Sequence, residues 1–289
     1  MIVMARTLNP NITYSSLCKV GGVSQSGLYR YLQNKNVRAK KDKAFIKVIT
    51  ELFYKSNKKA GIRTLAMKLR QQGLIINHKK VARLKRENGL ITSIRKKSNF
   101  GPFASKNCEH HVFPNLLKRD FVRPMPDMAY VTDTSVLLFS DKLKVYLSAT
   151  KDLGTNEIIS YRVSRSPAVK GYVDEFENLL SKLPAKIKKG LLIHSDQGFQ
   201  YTNTLFVELL RKHGATQSMS RKANCHDNAA IETFFGHIKD ELEIKKGMGL
   251  QELQKEVDRA INYYNNERPQ MVLKGMTPKE YRSHLCSNL

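Results

Sequence analysis

Three acidic residues stand where an acid is either costly or well aimed. Asp133 lies in the middle of the apolar run YVTDTSVLLF at 130–139, where a charge is unfavourable unless something pairs with it. Asp196 directly follows the apolar run LLIH, in HSDQG at 194–198. Glu232 falls in CHDNAAIETFFGHIKDEL at 225–242. There Ile231, Phe234, Phe235, Ile238 and Leu242 mark the buried side of a helix, and Asn228, Glu232 and Lys239 recur at i, i+4 and i+11 along an adjacent stripe. Singly, Asp133 and Asp196 read equally as acids that cap a strand or open a turn. As a group of oxygen donors from two strands and a helix, the three suit Mg2+ or Mn2+, hard cations that keep water and bind substrate phosphate beside a few carboxylates. Two such ions about 4 Å apart activate an attacking water or hydroxyl and stabilise the leaving oxygen of an in-line phosphoryl displacement. Asp133, Asp196 and Glu232 are therefore expected as catalytic residues and metal ligands for two ions, with Lys239, two turns beyond Glu232, approaching a phosphate.

Other groupings carry less. Cys225, His226 and Asp227 are consecutive, and a nucleophilic triad needs side chains converging from separate segments. Cys108, His110 and His111 lack the spacing of zinc ligand pairs. His194 and His226 read as hydrogen-bonded structural histidines. The four cysteines, Cys18, Cys108, Cys225 and Cys286, form no disulfide framework and are expected reduced.

The elements that must position the acids follow from periodicity. Strands are expected at 130–138, 143–150 and 157–163, joined by short turns suited to an antiparallel meander. A helix at 168–183, a short strand at 191–194, a helix at 204–213, a strand at 216–219 and a helix at 228–242 complete the α/β order of a ribonuclease H-like mixed sheet with helices on both faces, over 127–248. A helical segment at 249–289 contains a helix burying Leu253, Val257, Ala260, Ile261 and Tyr264, then a short helix opened by Thr277 and Pro278. In such a sheet the middle of the first strand and the end of the fourth are neighbours, which brings two of the acids together.

Ahead of this core the chain reads as all-α. Residues 14–32 outline a helix-turn-helix broken at Gly21-Gly22, with Ser24 as N-cap and Gln25, Ser26, Tyr29 and Arg30 offered outward, in a first region at 1–38. A second helical region at 39–93 has amphipathic helices at 41–54 and 62–72. A third helix, 78–88, is capped by Asn77 and closed by Gly89. Val81 and Leu84 are expected inside it, with Lys79, Lys80, Arg83, Lys85 and Arg86 around the outside. Residues 94–126 lose all periodicity and read as an extended linker.

Charge separates these parts. Of the net +25, residues 1–126 hold 27 Lys and Arg against 5 acids, a net +22, while the remainder carries 23 against 20. A field this positive binds a polyanion by releasing its counterions, and the basic stretches lack the Trp- or Phe-lined amphipathic helix of a membrane binder. Nucleic acid is the expected partner and no membrane is. With no signal peptide and no apolar run near 18 residues, a cytoplasmic location is expected. Arg63, Lys79, Lys80, Arg83, Lys85 and Arg86 are the candidate DNA contacts of the helical part, and Asn228, Lys239, Arg221 and Lys222 those of the core.

The spacing Asp133, Asp196, Glu232, with thirty-five residues between the last two, resembles the Asp-Asp-35-Glu signature of retroviral integrases and, more closely, of second-frame (OrfB-type) insertion-sequence transposases. HSDQGFQYTN at 194–203, SMSRKANCHDNAAIETFFGHIKDEL at 218–242, YYNNERPQMVLKGMTPKEY at 263–281 and GIRTLAMKLRQQGLIINHKKVARLKRENGL at 61–90 are all similar to that family, covering most of 60–282. The resemblance implies metal-dependent strand cleavage and strand transfer by a multimer on paired ends of a bacterial mobile element, on nucleoid DNA. It implies recognition of terminal inverted repeats by the helical region, and a fusion to, or partnership with, an upstream-frame DNA-binding protein. Two positions depart from the pattern: Tyr130 stands where relatives usually carry Trp, and Gln270 where they usually carry His. The alternatives left open are a catalytically inactive DNA-binding regulator and a ribonuclease H-like nuclease that cuts without joining.

Overall fold

The computed structural model describes residues 2–93, 111–139, 143–222, 224–245 and 247–287, in two compact units, Met1–Ser93 and Ile94–Leu289. Cys108 and His110 lie outside the described residues.

The first unit is all-helical: α1 (Ile2–Leu8), α2 (Tyr14–Val20), α3 (Gln25–Lys55), α4 (Ile62–Gln71) and α5 (His78–Glu87). Polar caps set the starts. Thr13 accepts from the Ser16 amide, Ser24 from Gly27 and Asn77 from Lys79, so each takes up an amide that the first helical turn leaves unpaired. Two expected helices, 25–32 and 41–54, are in fact one helix of 31 residues, and the expected boundary at 38–39 falls inside it. The intervening QNKNVRAK has no apolar stripe, which made it read as a break. It also has no Pro or Gly, and its Gln, Lys, Arg and Ala are good helix formers. Ile49, Phe53, Leu65, Leu69, Ile76, Val81 and Leu84 bury the core shared by α3, α4 and α5.

The second unit is built on β1 (Ala129–Phe139), β2 (Leu143–Asp152) and β3 (Ile158–Ser164), followed by α6 (Val169–Ser181), α7 (Ala185–Gly190) and β4 (Leu192–Ser195). Then come α8 (Phe199–Thr202), α9 (Thr204–His213), β5 (Thr216–Met219), α10 (Ala229–Glu241), α11 (Leu250–Asn266) and α12 (Pro278–Cys286). The strand order is β3-β2-β1-β4-β5. The first three strands pair antiparallel, and β4 and β5 add parallel to β1, as in a ribonuclease H-like sheet. Because strand side chains alternate, the sheet has two cores. Val131, Leu147 and Ala149 pack under Ile231, Phe234 and Val257 of α10 and α11, while Tyr130 and Ile193 pack under Tyr172, Phe176, Tyr201 and Phe206 of α6, α8 and α9.

The second half of the expected linker is not free chain. Residues 111–126 lie on this unit: Leu117 is buried, the amides of Leu116 and Leu117 both donate to Ser218 Oγ, and Pro114 accepts from the Met219 amide. α12 is tied down by Arg282, whose guanidinium bonds Asp127, Asp152 and Glu157. Tyr130 is fully buried and donates its hydroxyl to Asp127, and the side-chain oxygen of Gln270 accepts from Asn156. Of the two departures from the family pattern, Tyr130 therefore sits in the packing of the core, while Gln270 is half-buried in a polar contact with Asn156. No helix among the described residues is long and apolar enough to cross a membrane.

Candidate active site

Strand register brings the first two acids side by side. In the parallel pair β1·β4, Val131 faces His194, and Asp133 and Asp196 each follow two residues later. Both carboxylates thus leave the sheet on the α10 face, at the C-terminal end of β4. Asp133 Oδ1 accepts from the Thr134 amide at 2.7 Å, and Asp196 Oδ1 from the Gly198 amide at 2.9 Å. Gly198 permits this fold-back: a Cβ there would lie 2.8 Å from Asp196 Oδ1 and 2.7 Å from the side-chain Nε2 of Gln200.

Glu232 projects from the first turn of α10 and is exposed. The three acids feel one another. Burial, then the charges of Asp196 and Glu232, push Asp133 well above the usual carboxylate range, opposed by the Thr134 amide and the Lys239 ammonium. Burial raises Asp196 against the Gly198 amide. Burial also raises Glu232, helped by Asp196 and opposed by His226. Among the described residues no three such side chains close into a ready-made metal cage. Electrostatic repulsion acts over longer distances than coordination, so the two observations are compatible: a concentration of negative potential with an open geometry.

Beneath the acids, on the opposite face, lies a hydroxyl network that the sequence did not announce. Thr134 Oγ1 donates to Tyr172 Oη at 3.0 Å, and Tyr201 Oη lies 3.3 Å from Thr132 Oγ1 and 3.5 Å from Thr134 Oγ1. Burial and then the charges of Asp133 and Asp196 drive the Tyr201 hydroxyl well above its usual pKa, so it stays protonated. Two Thr residues at strand spacing and two Tyr residues on separate helices carry no signal of such a network.

Asp227 is the second feature the sequence hid. Its buried carboxylate receives five hydrogen bonds: from Arg221 N, Nε and Nη2, from Arg119 Nε and from Asn115 Nδ2. The Arg221 side chain, with Arg119 second, holds it well below the usual carboxylate range. This clamp fixes the loop that leads into α10. His194 completes it. Nε2 must carry the proton, because the Asp227 carbonyl 3.0 Å away only accepts, which leaves Nδ1 to accept from Ser218 Oγ at 2.8 Å. Burial lowers its pKa to about 4, so the ring is neutral and structural, as expected.

The remaining candidates divide. Lys239 is half-buried on the Glu232 stripe, within the field of Asp133. Asn228 is 3% exposed, and neither atom of its amide finds a partner. Lys222 is exposed, while Arg221, though exposed, gives Nε and Nη2 to Asp227. In the helical unit Arg63, Lys79 and Arg86 are exposed. Lys80 and Arg83 pair with Asp42 at 2.8 and 2.7 Å, and Arg83 also reaches Glu87. Lys85 corrects the sequence reading. It is 5% exposed, donating to Thr92 Oγ1 at 2.7 Å and Ala60 O at 3.3 Å, with its ammonium 4.5 Å from the centre of the Phe53 ring. Its place on α5 falls on the stripe of Val81 and Leu84, so it points into the unit and not toward DNA.

Comparison with known proteins agrees with this architecture. Residues 40–98 match an HTH-like domain, and residues 123–225 and 213–278 match two models of the integrase core domain. The chain is 37% identical over 241 residues to the InsK protein of insertion sequence element IS150 from Escherichia coli K12, covering 82% of each chain. It is 28% identical over 277 residues to the transposase InsF for insertion sequence IS3A of the same organism, covering 93% of each. It also overlays the HTLV-2 integrase catalytic core in complex with magnesium at 16% identity and a TM-score of 0.42, over 55% of this chain and 97% of that one. By these relatives and domains, the chain belongs to the insertion-sequence transposases with an integrase core, polynucleotidyl transferases of the DDE class.

Proposed function

We propose that Asp133, Asp196 and Glu232 are the catalytic carboxylates of this transposase and that they bind two divalent ions, Mg2+ or Mn2+, to cut and rejoin DNA strands at the ends of a mobile element. The observation that carries the reading is the register. One acid from β1, one directly after the parallel strand β4 and one from the helix above them all have raised pKa values, chiefly by burial, and the charge of Asp196 adds to the rise at both Asp133 and Glu232. The residues fit such ions. All three are hard oxygen donors, their mutual repulsion is what a divalent cation relieves, and the buried Asn228 amide, four residues before Glu232, is left without a protein partner. When bound, the ions supply activation of the attacking hydroxyl and stabilisation of the leaving oxygen.

The chain's own residues hold that site. The Thr134 and Gly198 amides orient Asp133 and Asp196, the Asp227 clamp fixes the approach to α10, and Lys239 contacts the phosphate being transferred, a role the buried amide of Asn228 does not share. Arg63, Lys79, Lys80, Arg83, Arg86, Arg221 and Lys222 are proposed as backbone contacts to the terminal repeats and target DNA. The acting form is a homo-oligomer on paired ends in the cytoplasm, on nucleoid DNA, with an upstream-frame DNA-binding protein as partner or fusion.

The test is incubation of the full chain with duplex DNA carrying the sequences that flank its gene, with Mg2+ or EDTA. Metal-dependent nicks leaving 3′-hydroxyls at the element ends, abolished by Glu232→Gln, are expected. Nicking that persists in that variant overturns the assignment of Glu232, and an intact wild type that never nicks favours the DNA-binding regulator.

A further inference from the structure

On the flank of α10 away from Glu232, three basic side chains from three elements lie within one another's field. Ala230 precedes Glu232 by two residues and His237 follows it by five, about 160° and 140° round the helix, so both face the same flank. Lys151 of β2 is 6% exposed, and its ammonium donates to the Ala230 carbonyl at 3.2 Å. Arg268, half-exposed in the turn after α11, places Nη2 3.2 Å from Nδ1 of His237. A guanidinium only donates, so Nδ1 must be unprotonated.

The charges bear this out. Burial and then Arg268 push the His237 pKa down to about 4, and burial and then Arg268 push Lys151 down to about 8. The neighbouring acids act on these groups only through their fields, Asp152 on Lys151 and Asp240 on His237. Asp152 takes Arg282, Thr155 and the amides of Gly154 and Asp127, while Asp240, exposed on α10, acts on His237 through its field. Among the described residues neither Lys151 nor Arg268 has a carboxylate at ion-pair distance. Buried charge without a counter-charge costs stability, and a bound anion offsets that cost.

We propose that Lys151, Arg268 and His237 form an oxyanion site that takes one backbone phosphate of bound DNA on the flank of α10 opposite the carboxylates. Arg268 contacts the phosphate from the half-exposed side, Lys151 supplies charge from the buried side, and neutral His237 holds the guanidinium in place. The choice of DNA as the source of the phosphate rests on the transposase reading above; the anion site itself does not.

The test uses the full chain, Arg268→Gln and Lys151→Met. Thermal unfolding is followed in inorganic phosphate against chloride of equal ionic strength, and the affinity for duplex DNA is measured from 50 to 300 mM KCl without divalent metal. A saturable rise in melting temperature with phosphate is expected in the wild type and not in either variant. The log–log salt slope for DNA should fall by about 1 in each variant, uniformly across DNA sequences. Lys151→Met, which removes an unpaired buried charge, should fold at least as stably as the wild type, which guards against loss of fold in Arg268→Gln. A wild type with no saturable phosphate response, or folded variants that keep the wild-type response and slope, overturns the site. A phosphate response lost in the variants, in a chain that never cuts DNA, keeps the site and sinks the catalytic reading instead.

Discussion

At the scale of single residues, the decisive quantity is the proton affinity of Asp133 and its neighbours. Burial and mutual repulsion raise the folded pKa of Asp133 above its unfolded value. The folded state therefore holds more protons than the unfolded chain, and stability is lost as pH rises from the ordinary carboxylate range through the elevated value. Asp133→Asn, which removes the charge and keeps the shape, should then melt above the metal-free wild type at pH 8, by ~2–4 °C for about 1 kcal/mol in a chain this size. The gap should shrink at pH 5, and Mg2+ should raise the wild type far more than the variant. Thermal unfolding in EDTA and in Mg2+ at both pH values reads this; an Asn variant that melts lower at pH 8 contradicts it. The three acids were legible in the sequence as a set: Asp133 interrupts an apolar run, Asp196 directly follows one, and Glu232, with thirty-five residues between it and Asp196, lies on a helical stripe with Asn228 and Lys239. Tyr201 and Asp227 were not: a buried tyrosine looks like core, and an aspartate paired with arginines 6 and 108 residues away in sequence looks like loop.

At the scale of elements, periodicity reported what was buried but not always which residue filled the last buried position. The strands and α10 emerged close to their observed bounds because they alternate or recur cleanly. The polar middle of α3 carried no periodic signal, so one helix read as two. Lys85 read as an outward charge because Lys usually is one. Its long apolar stem lets it lie along Phe53 while the ammonium bonds Thr92 and Ala60, a contact across the unit that no local pattern encodes. This separates two neighbours on α5. Lys85→Ala should cost stability, about 1–3 kcal/mol, by leaving the buried Ala60 carbonyl without its donor and removing a packed stem. Lys79→Ala should leave stability within about 0.5 kcal/mol and weaken DNA binding. Urea unfolding and a DNA titration on both variants check the pair, and the reverse assignment of effects would show that α5 faces DNA by its other side.

At the scale of the whole molecule, charge and chemistry divide between regions of the chain. Residues 1–126 carry a net +22 and the rest only +3, so the part that holds the carboxylates contributes little of the long-range attraction for DNA. On the proposed reading its task is local: β1, the residue after β4 and α10 concentrate negative potential where a phosphate would approach, and divalent ions would mediate that approach. The measurement that tests this most directly is the transfer of a labelled, pre-cut 3′ end of the element into target DNA by the full chain, in Mg2+. The wild type should give joined product, and Asp133→Asn, Asp196→Asn and Glu232→Gln should each reduce it by at least about 10³-fold while binding the same DNA. Joining at the wild-type rate by any one of the three, or cleavage by the wild type with no joined product at all, would contradict the account.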